Sequence, residues 1–177
     1  MDVETTGFDP WNDRLIEVGA VRCALTDDGV LTLGDRFATF VDPGRPIPAA
    51  VARLTGISDA DLAGTPSPNE AAAALERFAR GACLVGHNIG FDVAFLEAAG
   101  LPPGAERLDT AEMAAILRPT ATSYALQRLA ADAAIAPRAA HRALEDALTC
   151  ASLLGALVLR LRALPPAVLE EARDYAP

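Results

Sequence analysis

The order of the predicted elements indicates an α/β fold, in which a mixed central sheet with an antiparallel meander is flanked by helices. Strand-like runs come first, and later apolar runs alternate with segments of helical spacing. Hydrophobic residues make up 51% of the chain and charged residues 22%, the balance of a soluble globular domain. We therefore expect a single domain spanning residues 1–177.

The predicted strands begin at the second residue. Three of them form the meander: Asp2–Thr5, Leu15–Val21 and Arg36–Val41. The turn Asp27–Gly29 joins the second strand to the third, because Asp and Gly favour tight turns. The apolar run Cys83–Asn88 is typical of a buried strand that ends in a loop. A buried strand usually has about five or six residues. Since only Met1 precedes Asp2, either the first strand is unusually short or the sequence is part of a longer chain, and we favour the second interpretation.

Helical spacing and helix start signals predict the remaining elements. The predicted helices are a short one ending near Arg53, followed by Asn69–Ala79, Asp92–Ala99, Thr110–Leu117, Tyr124–Ala133, Ala140–Leu164 and Ala167–Arg173. The abundant alanine favours helix and carries no chemistry.

The charge of the chain constrains its partners. The net charge is −9, and every basic side chain is Arg. Such a protein is a poor general nucleic-acid binder, because non-specific affinity comes from neutralising phosphates. The objection weakens if some of the acids bind divalent cations, since the cations then attract phosphate.

The apolar segments indicate neither secretion nor a membrane span. No apolar run is long enough to cross a bilayer, and no secretory signal is present. Cys23, Cys83 and Cys150 are scattered without CxxC spacing, so we interpret them as buried thiols of a cytoplasmic protein.

The most informative motif is Asp2-Val3-Glu4, on the first strand. Alternate strand residues share a face, so Asp2 and Glu4 direct two carboxylates to one place. Like charges this close require a counter-charge, for which a divalent cation is the usual choice. The turn Thr5–Gly7 adds hydroxyls and amides suited to an anion such as phosphate. We interpret Glu17, on the second strand, as a solvated residue of the meander surface.

Two further acids lie in distinctive settings. Asp92 ends the segment His87–Asp92, at a junction of strand and helix. Asp146 follows His141 by five residues, which separates their side chains by roughly 140° on a regular helix. We therefore place Asp146 inside the helix and His141 in its loose first turn or in the loop after Pro137. A mobile histidine there is a plausible general base.

Taken together, these residues resemble the DEDDh family of 3′→5′ exonucleases, in the ribonuclease H-like superfamily. The family's four acids correspond to Asp2, Glu4, Asp92 and Asp146, and its histidine corresponds to His141. Secondary marks agree in the Thr5–Gly7 turn and in Leu54–Ile57, which precedes a proline loop. The resemblance covers nearly the whole chain and implies a ribonuclease H-like three-layer fold.

The resemblance also implies a chemistry. The four acids would hold two divalent cations, Mg²⁺ or Mn²⁺, and His141 would act as the general base in hydrolysis of the terminal phosphodiester. The product would be a nucleoside 5′-monophosphate. The residues expected to bind the 3′-terminal nucleotide are Thr5, Thr6, Gly7, Phe8, Leu54, His87 and Phe91. For His87 and Phe91, a purely structural role is an equal alternative.

Three functions remain open at this point. DNA with a free 3′ end is the leading substrate, and RNA or short oligoribonucleotides form the alternative. A third possibility is a proofreading module that docks on a DNA polymerase. The segment Leu164–Pro177 has no Gln-initiated, aromatic-ended clamp-binding peptide, which disfavours that third function.

Overall fold

The computed structural model describes residues 1–168 and places five strands in them. The strands are β1 Asp2–Thr5, β2 Leu15–Leu25, β3 Leu31–Phe40, β4 Leu84–Gly86 and β5 Arg107–Asp109. Strands β1, β2 and β3 form the antiparallel meander, in that spatial order. Strands β4 and β5 pair in parallel. The Met1 amino group donates to the Val85 carbonyl at 2.6 Å, which joins β4 to the start of β1. The predicted mixed sheet is confirmed.

Seven helices flank these strands within the described residues. They are α1 Ala49–Thr55, α2 Asp59–Leu62, α3 Pro68–Ala79, α4 Ile89–Ala98, α5 Thr110–Leu117, α6 Leu126–Asp132 and α7 Ala143–Arg162. Helix α3 begins with a capping box, in which the Glu70 side chain accepts from both the amide and the hydroxyl of Ser67. None of the helices in residues 1–168 combines the length and the apolar character needed to cross a membrane.

The packing gives three layers. Val3 and Val18 project from one face of the meander into a core that includes Leu75 of α3 and Leu96 of α4. On the other face, Gly19 lies against the first turn of α7. Helix α7 also packs with α5 and α6 around Leu129, Leu153 and Leu157. The sheet is therefore covered on both faces, and the strand ends that carry Asp2 and Glu4 lie between the layers.

Asp109 connects the two helices beside the parallel strands. Its carboxylate accepts from the amides of Asn88 at 3.1 Å and Ile89 at 3.0 Å, at the start of α4. The same carboxylate accepts from the Ala111 amide at 2.8 Å, at the start of α5. The amides of a first helical turn have no partners within the helix, so one side chain caps both helices. Asp109 thereby fixes the helix that carries Asp92.

Several sequence-based boundaries were wrong. Helix α4 starts before Asp92, at Ile89, and α7 starts at Ala143 rather than at Ala140. The short elements β5 and α2 were not predicted. From residue 169 onward, the predicted helix Ala167–Arg173 lies outside the described residues.

The cysteine prediction was wrong in two of three cases. Cys150 is buried, but Cys23 and Cys83 are exposed. Cys23 lies on the outer half of the β2–β3 hairpin, and Cys83 lies before β4. Both cysteines line a cavity between the strands and the helices α3 and α7, where solvent reaches them.

Candidate active site

A cavity of about 400 Å³ opens where β1, the start of α4 and the start of α7 meet. All five residues predicted from the motifs line it: Asp2, Glu4, Asp92, His141 and Asp146. Residues separated by more than ninety positions in the chain are thus brought to one place.

The strand β1 supplies two of the carboxylates and fixes a third. Asp2 and Glu4 alternate with Val3, which is buried in the core. The Val3 amide donates to Asp92 Oδ1 at 2.9 Å. Asp92 is 3% exposed, so this bond is buried and holds the carboxylate beside the strand.

The turn before α7 supplies the other two groups. The His141 amide donates to Asp146 Oδ2 at 2.8 Å, and Gln127 Nε2 donates to Asp146 Oδ1 at 2.7 Å. His141 has a positive φ of 61°, which is uncommon for a residue other than glycine. The structure therefore places the exposed His141 outside the helix and Asp146 within it, as their spacing predicted.

Burial and mutual repulsion raise the pKa values of the cavity carboxylates. Desolvation, followed by the charges of Asp92, Glu4 and Asp146, raises the pKa of Asp2 well above its ordinary value. Desolvation, assisted by Asp146 and Glu17, raises the pKa of Glu4 to about 7. Desolvation likewise raises the pKa of Asp92 to about 7, although the Met1 ammonium opposes the increase. Desolvation also raises the pKa of Asp146.

Two of these acids, Glu4 and Asp146, lie close enough to His141 to hold a divalent cation together with it. Single ligand atoms of Glu4, His141 and Asp146 lie within 4.8 Å of one another. Carboxylate oxygens together with a histidine nitrogen can hold a divalent cation. This donor set does not select Mg²⁺ or Mn²⁺ over other divalent cations. A bound cation would also remove the repulsion that raises the pKa values of the cluster. The structure thus contains a potential acidic and histidine metal-binding group.

The predicted substrate residues divide into two sets. Phe8, His87 and Phe91 line the cavity, whereas Thr5, Thr6, Gly7 and Leu54 are not among its lining residues. Thr6 is buried, and its hydroxyl donates to Asp13 and accepts from the Arg14 amide. The Thr6 side chain is therefore engaged in holding the loop 6–14 in place.

The two aromatic residues at the cavity pack against each other with their rings tilted, and only Phe8 is fully exposed. Phe8 is 91% exposed, and its ring centroid lies 6.4 Å from that of Phe91. The ring centroid of Phe91 in turn lies 5.0 Å from that of Phe95, which is in the core. The core thus supports Phe91, while Phe8 presents a ring face to solvent next to the carboxylates.

His87 has protein partners at both ring nitrogens. Nδ1 lies 2.9 Å from the Thr110 hydroxyl, and Nε2 lies 2.7 Å from the Tyr124 carbonyl. Since a carbonyl only accepts, Nε2 carries a proton. Burial lowers the pKa of His87. A substrate would meet the face of this ring rather than a free nitrogen.

Two residues outside the predicted set of site residues bear on the cavity. Gln127 donates to Asp146, as described above. Glu17 was expected to be a solvated surface residue, but it is 4% exposed and paired with Arg142. The hydrogen bond to Glu17 raises the pKa of the Arg142 guanidinium above its ordinary value. Neither contact has a local sequence signal, because each joins elements that are distant in the chain.

The layered fold has the architecture expected of a ribonuclease H-like domain, and its acidic cavity lies where the motif residues converge. The family model for Exonuclease matches residues 1–154, and the chain therefore belongs to this exonuclease family.

Named relatives agree with this assignment. The chain is 36% identical over 164 residues to the DNA polymerase III subunit epsilon of Treponema pallidum (strain Nichols), covering 89% of this chain and 74% of that protein. It is 35% identical over 157 residues to the DNA polymerase III PolC-type of Pediococcus pentosaceus, covering 86% of this chain and 11% of that protein. The chain spans only about a tenth of the PolC-type relatives it matches.

A solved structure supports the fold. Exonuclease X in complex with 5′ overhanging duplex DNA superimposes with a TM-score of 0.71 at 24% identity, covering 89% of each chain. This similarity confirms the predicted ribonuclease H-like architecture.

Proposed function

We propose that this chain, as one domain, is a metal-dependent 3′→5′ exonuclease that hydrolyses the terminal phosphodiester of DNA and releases nucleoside 5′-monophosphates. The observation that carries the proposal is the convergence of Asp2, Glu4, Asp92, Asp146 and His141 on one cavity. Similarity to the 3′-5′ exonuclease DinG of Bacillus subtilis, at 34% identity over 98% of this chain, supports the direction of attack.

The chain's residues would divide the work as follows. Asp2, Glu4, Asp92 and Asp146 would hold two divalent cations, Mg²⁺ or Mn²⁺. The cations would supply activation of the attacking water and stabilisation of the charge on the leaving 3′-oxygen. His141, which projects from a turn tied to Asp146, would accept the proton of that water.

The remaining lining residues would hold the end of the strand. Phe8 and Phe91 would contact the 3′-terminal base, since aromatic rings stack on any base. The ring face of His87 would contribute to the same surface. Leu54 of α1, which is 57% exposed, would contact the nucleic-acid strand. Thr6 is held within the loop 6–14 by its hydroxyl and its amide, so the Thr5–Gly7 turn would contact the terminal nucleotide through Thr5 and Gly7, with Thr6 fixing the turn.

The test uses oligonucleotides labelled at either end. With Mg²⁺ or Mn²⁺, a 3′-labelled DNA strand should release labelled mononucleotide, and a 5′-labelled strand should shorten stepwise. Asp92→Asn should abolish both, whereas Glu145→Gln should be active, because the Glu145 side chain pairs with Arg138 outside the cavity. Metal-independent cleavage or attack from the 5′ end would overturn the proposal. Matched RNA strands decide between DNA and RNA, because an exoribonuclease must accept the 2′-hydroxyl.

Association with a DNA polymerase is a second candidate. The epsilon and PolC-type names of the relatives favour it. Gel filtration of the protein mixed with its cognate replicative polymerase tests this. Co-elution supports docking, and separate elution at micromolar concentrations argues against it.

A further inference from the structure

Glu17 is a buried carboxylate that has no role in the proposed metal or nucleotide contacts. It accepts from Arg142 Nη2 at 2.9 Å and from Arg142 Nε at 3.3 Å. It also accepts from the Ala143 amide at 3.0 Å. A carboxylate that is only 4% exposed requires such partners, because an unpaired buried charge is strongly destabilising.

The strand register places Glu17 next to the cavity. Glu4 pairs with Glu17, and Asp2 pairs with Gly19, across the antiparallel strands β1 and β2. Residues directly opposite each other share a face of the sheet. A Cβ at Gly19 would overlap the backbone of the first α7 residues, so α7 begins in direct contact with β2. The face that bears Asp2 and Glu4 is thus the face on which the start of α7 is seated.

Glu17 also completes the start of that helix. The first amides of a helix lack partners, and Arg142 at the N-cap position makes no side-chain cap of its own. Glu17 supplies the missing acceptor at Ala143. The residue just before Arg142 is His141, whose left-handed backbone is tied to Asp146 through its own amide. The backbone is therefore held on both sides of His141.

We propose that Glu17, acting through Arg142 and the Ala143 amide, is the positioning residue that holds His141 in place at the cavity. This inference rests on the function proposed above for His141. Glu17 does not touch the reacting atoms. Its loss would release the 141–143 turn, and a displacement of about 1 Å in a catalytic group can cost about 10²-fold in rate.

The first experiment measures kcat and KM separately for Glu17→Gln. Glutamine keeps the size of the side chain and an acceptor for Ala143, but removes the charge that pairs with Arg142. We expect kcat to fall about 10²-fold with KM unchanged. The rise in melting temperature with Mn²⁺ should match the parent's, since all four cavity carboxylates remain. Arg138→Gln is the matched control, because it removes an exposed pair with Glu145, 3.4 Å long, near the same turn.

The second experiment combines Glu17→Gln with His141→Ala. If Glu17 acts through His141, the double variant should be no slower than His141→Ala alone. Losses that multiply would overturn the proposal, as would a Glu17→Gln variant as active as Arg138→Gln. If Glu17→Gln does not melt cooperatively, Arg142→Lys replaces it in the same comparison with His141→Ala. Lysine keeps the buried charge of Glu17 paired but cannot form the forked contact of arginine. Failure of the proposed function is distinguishable, since the parent itself would then show no metal-dependent hydrolysis.

Discussion

Asp109→Ala should destabilise the protein more than the loss of an ordinary helix cap. The substitution removes the acceptor for amides at the starts of both α4 and α5. Loss of one cap typically costs about 0.5–2 kcal/mol. Two caps lost together should therefore lower the free energy of unfolding by about 1–4 kcal/mol, which urea denaturation would measure.

The substitution Asp109→Asn separates the contributions of the two carboxylate oxygens to the caps of α4 and α5. Oδ1 of Asp109 accepts from Asn88 and Ala111, while Oδ2 accepts from Ile89 alone. Asp109→Asn keeps one oxygen, so it should retain the α5 cap and lose less stability than Asp109→Ala. Asp61→Ala, which removes the capping box of the short helix α2, is the single-cap control. The reasoning fails if Asp109→Ala costs no more than Asp61→Ala.

The remaining predictions concern the cavity. Glu4 and Asp92 have folded pKa values of about 7, above their ordinary values, so they hold protons in the folded state that the unfolded chain releases. Without metal, stability should therefore fall as the pH rises through about 7, and in EDTA the melting temperature should be lower at about pH 8 than at about pH 5; a higher value at about pH 8 would contradict the burial of these acids. Mg²⁺ or Mn²⁺ should raise the melting temperature of the parent and of Glu97→Ala, an exposed change on the same helix, and should raise that of Asp92→Ala much less; an equal rise would remove Asp92 from the metal site. His141→Ala should slow hydrolysis about 10²–10⁴-fold in a rate assay while metal still raises the melting temperature, and a near-normal rate would exclude His141 as the base.

The sequence predicted those parts of the fold that have local signals. The meander strands and α5 follow from alternation, helical spacing and start signals, and α5 was predicted with its observed bounds. The gathering of the five motif residues on one cavity was likewise expected from the family resemblance. Their chemical roles remain predictions.

What escaped prediction depends on which distant elements become neighbours. Glu17 is an ordinary polar strand residue in the sequence, and only the pairing of β1 with β2 and the seating of α7 bury it. The shared cap at Asp109 requires the parallel pairing of β4 with the unpredicted β5. The engagement of both nitrogens of His87 depends on the loop at Tyr124, which is distant in the chain. Contacts between distant elements leave no periodic pattern in the sequence from which they could be predicted.

The unequal burial of the three cysteines has a practical consequence for labelling the protein. Cys23 and Cys83 are exposed, whereas Cys150 is buried, so a thiol-reactive fluorophore would attach to the first two and leave Cys150 unmodified in the folded state. Neither exposed thiol lines the cavity that contains the carboxylates. A fluorophore at either position would therefore report on unfolding without occupying the candidate site.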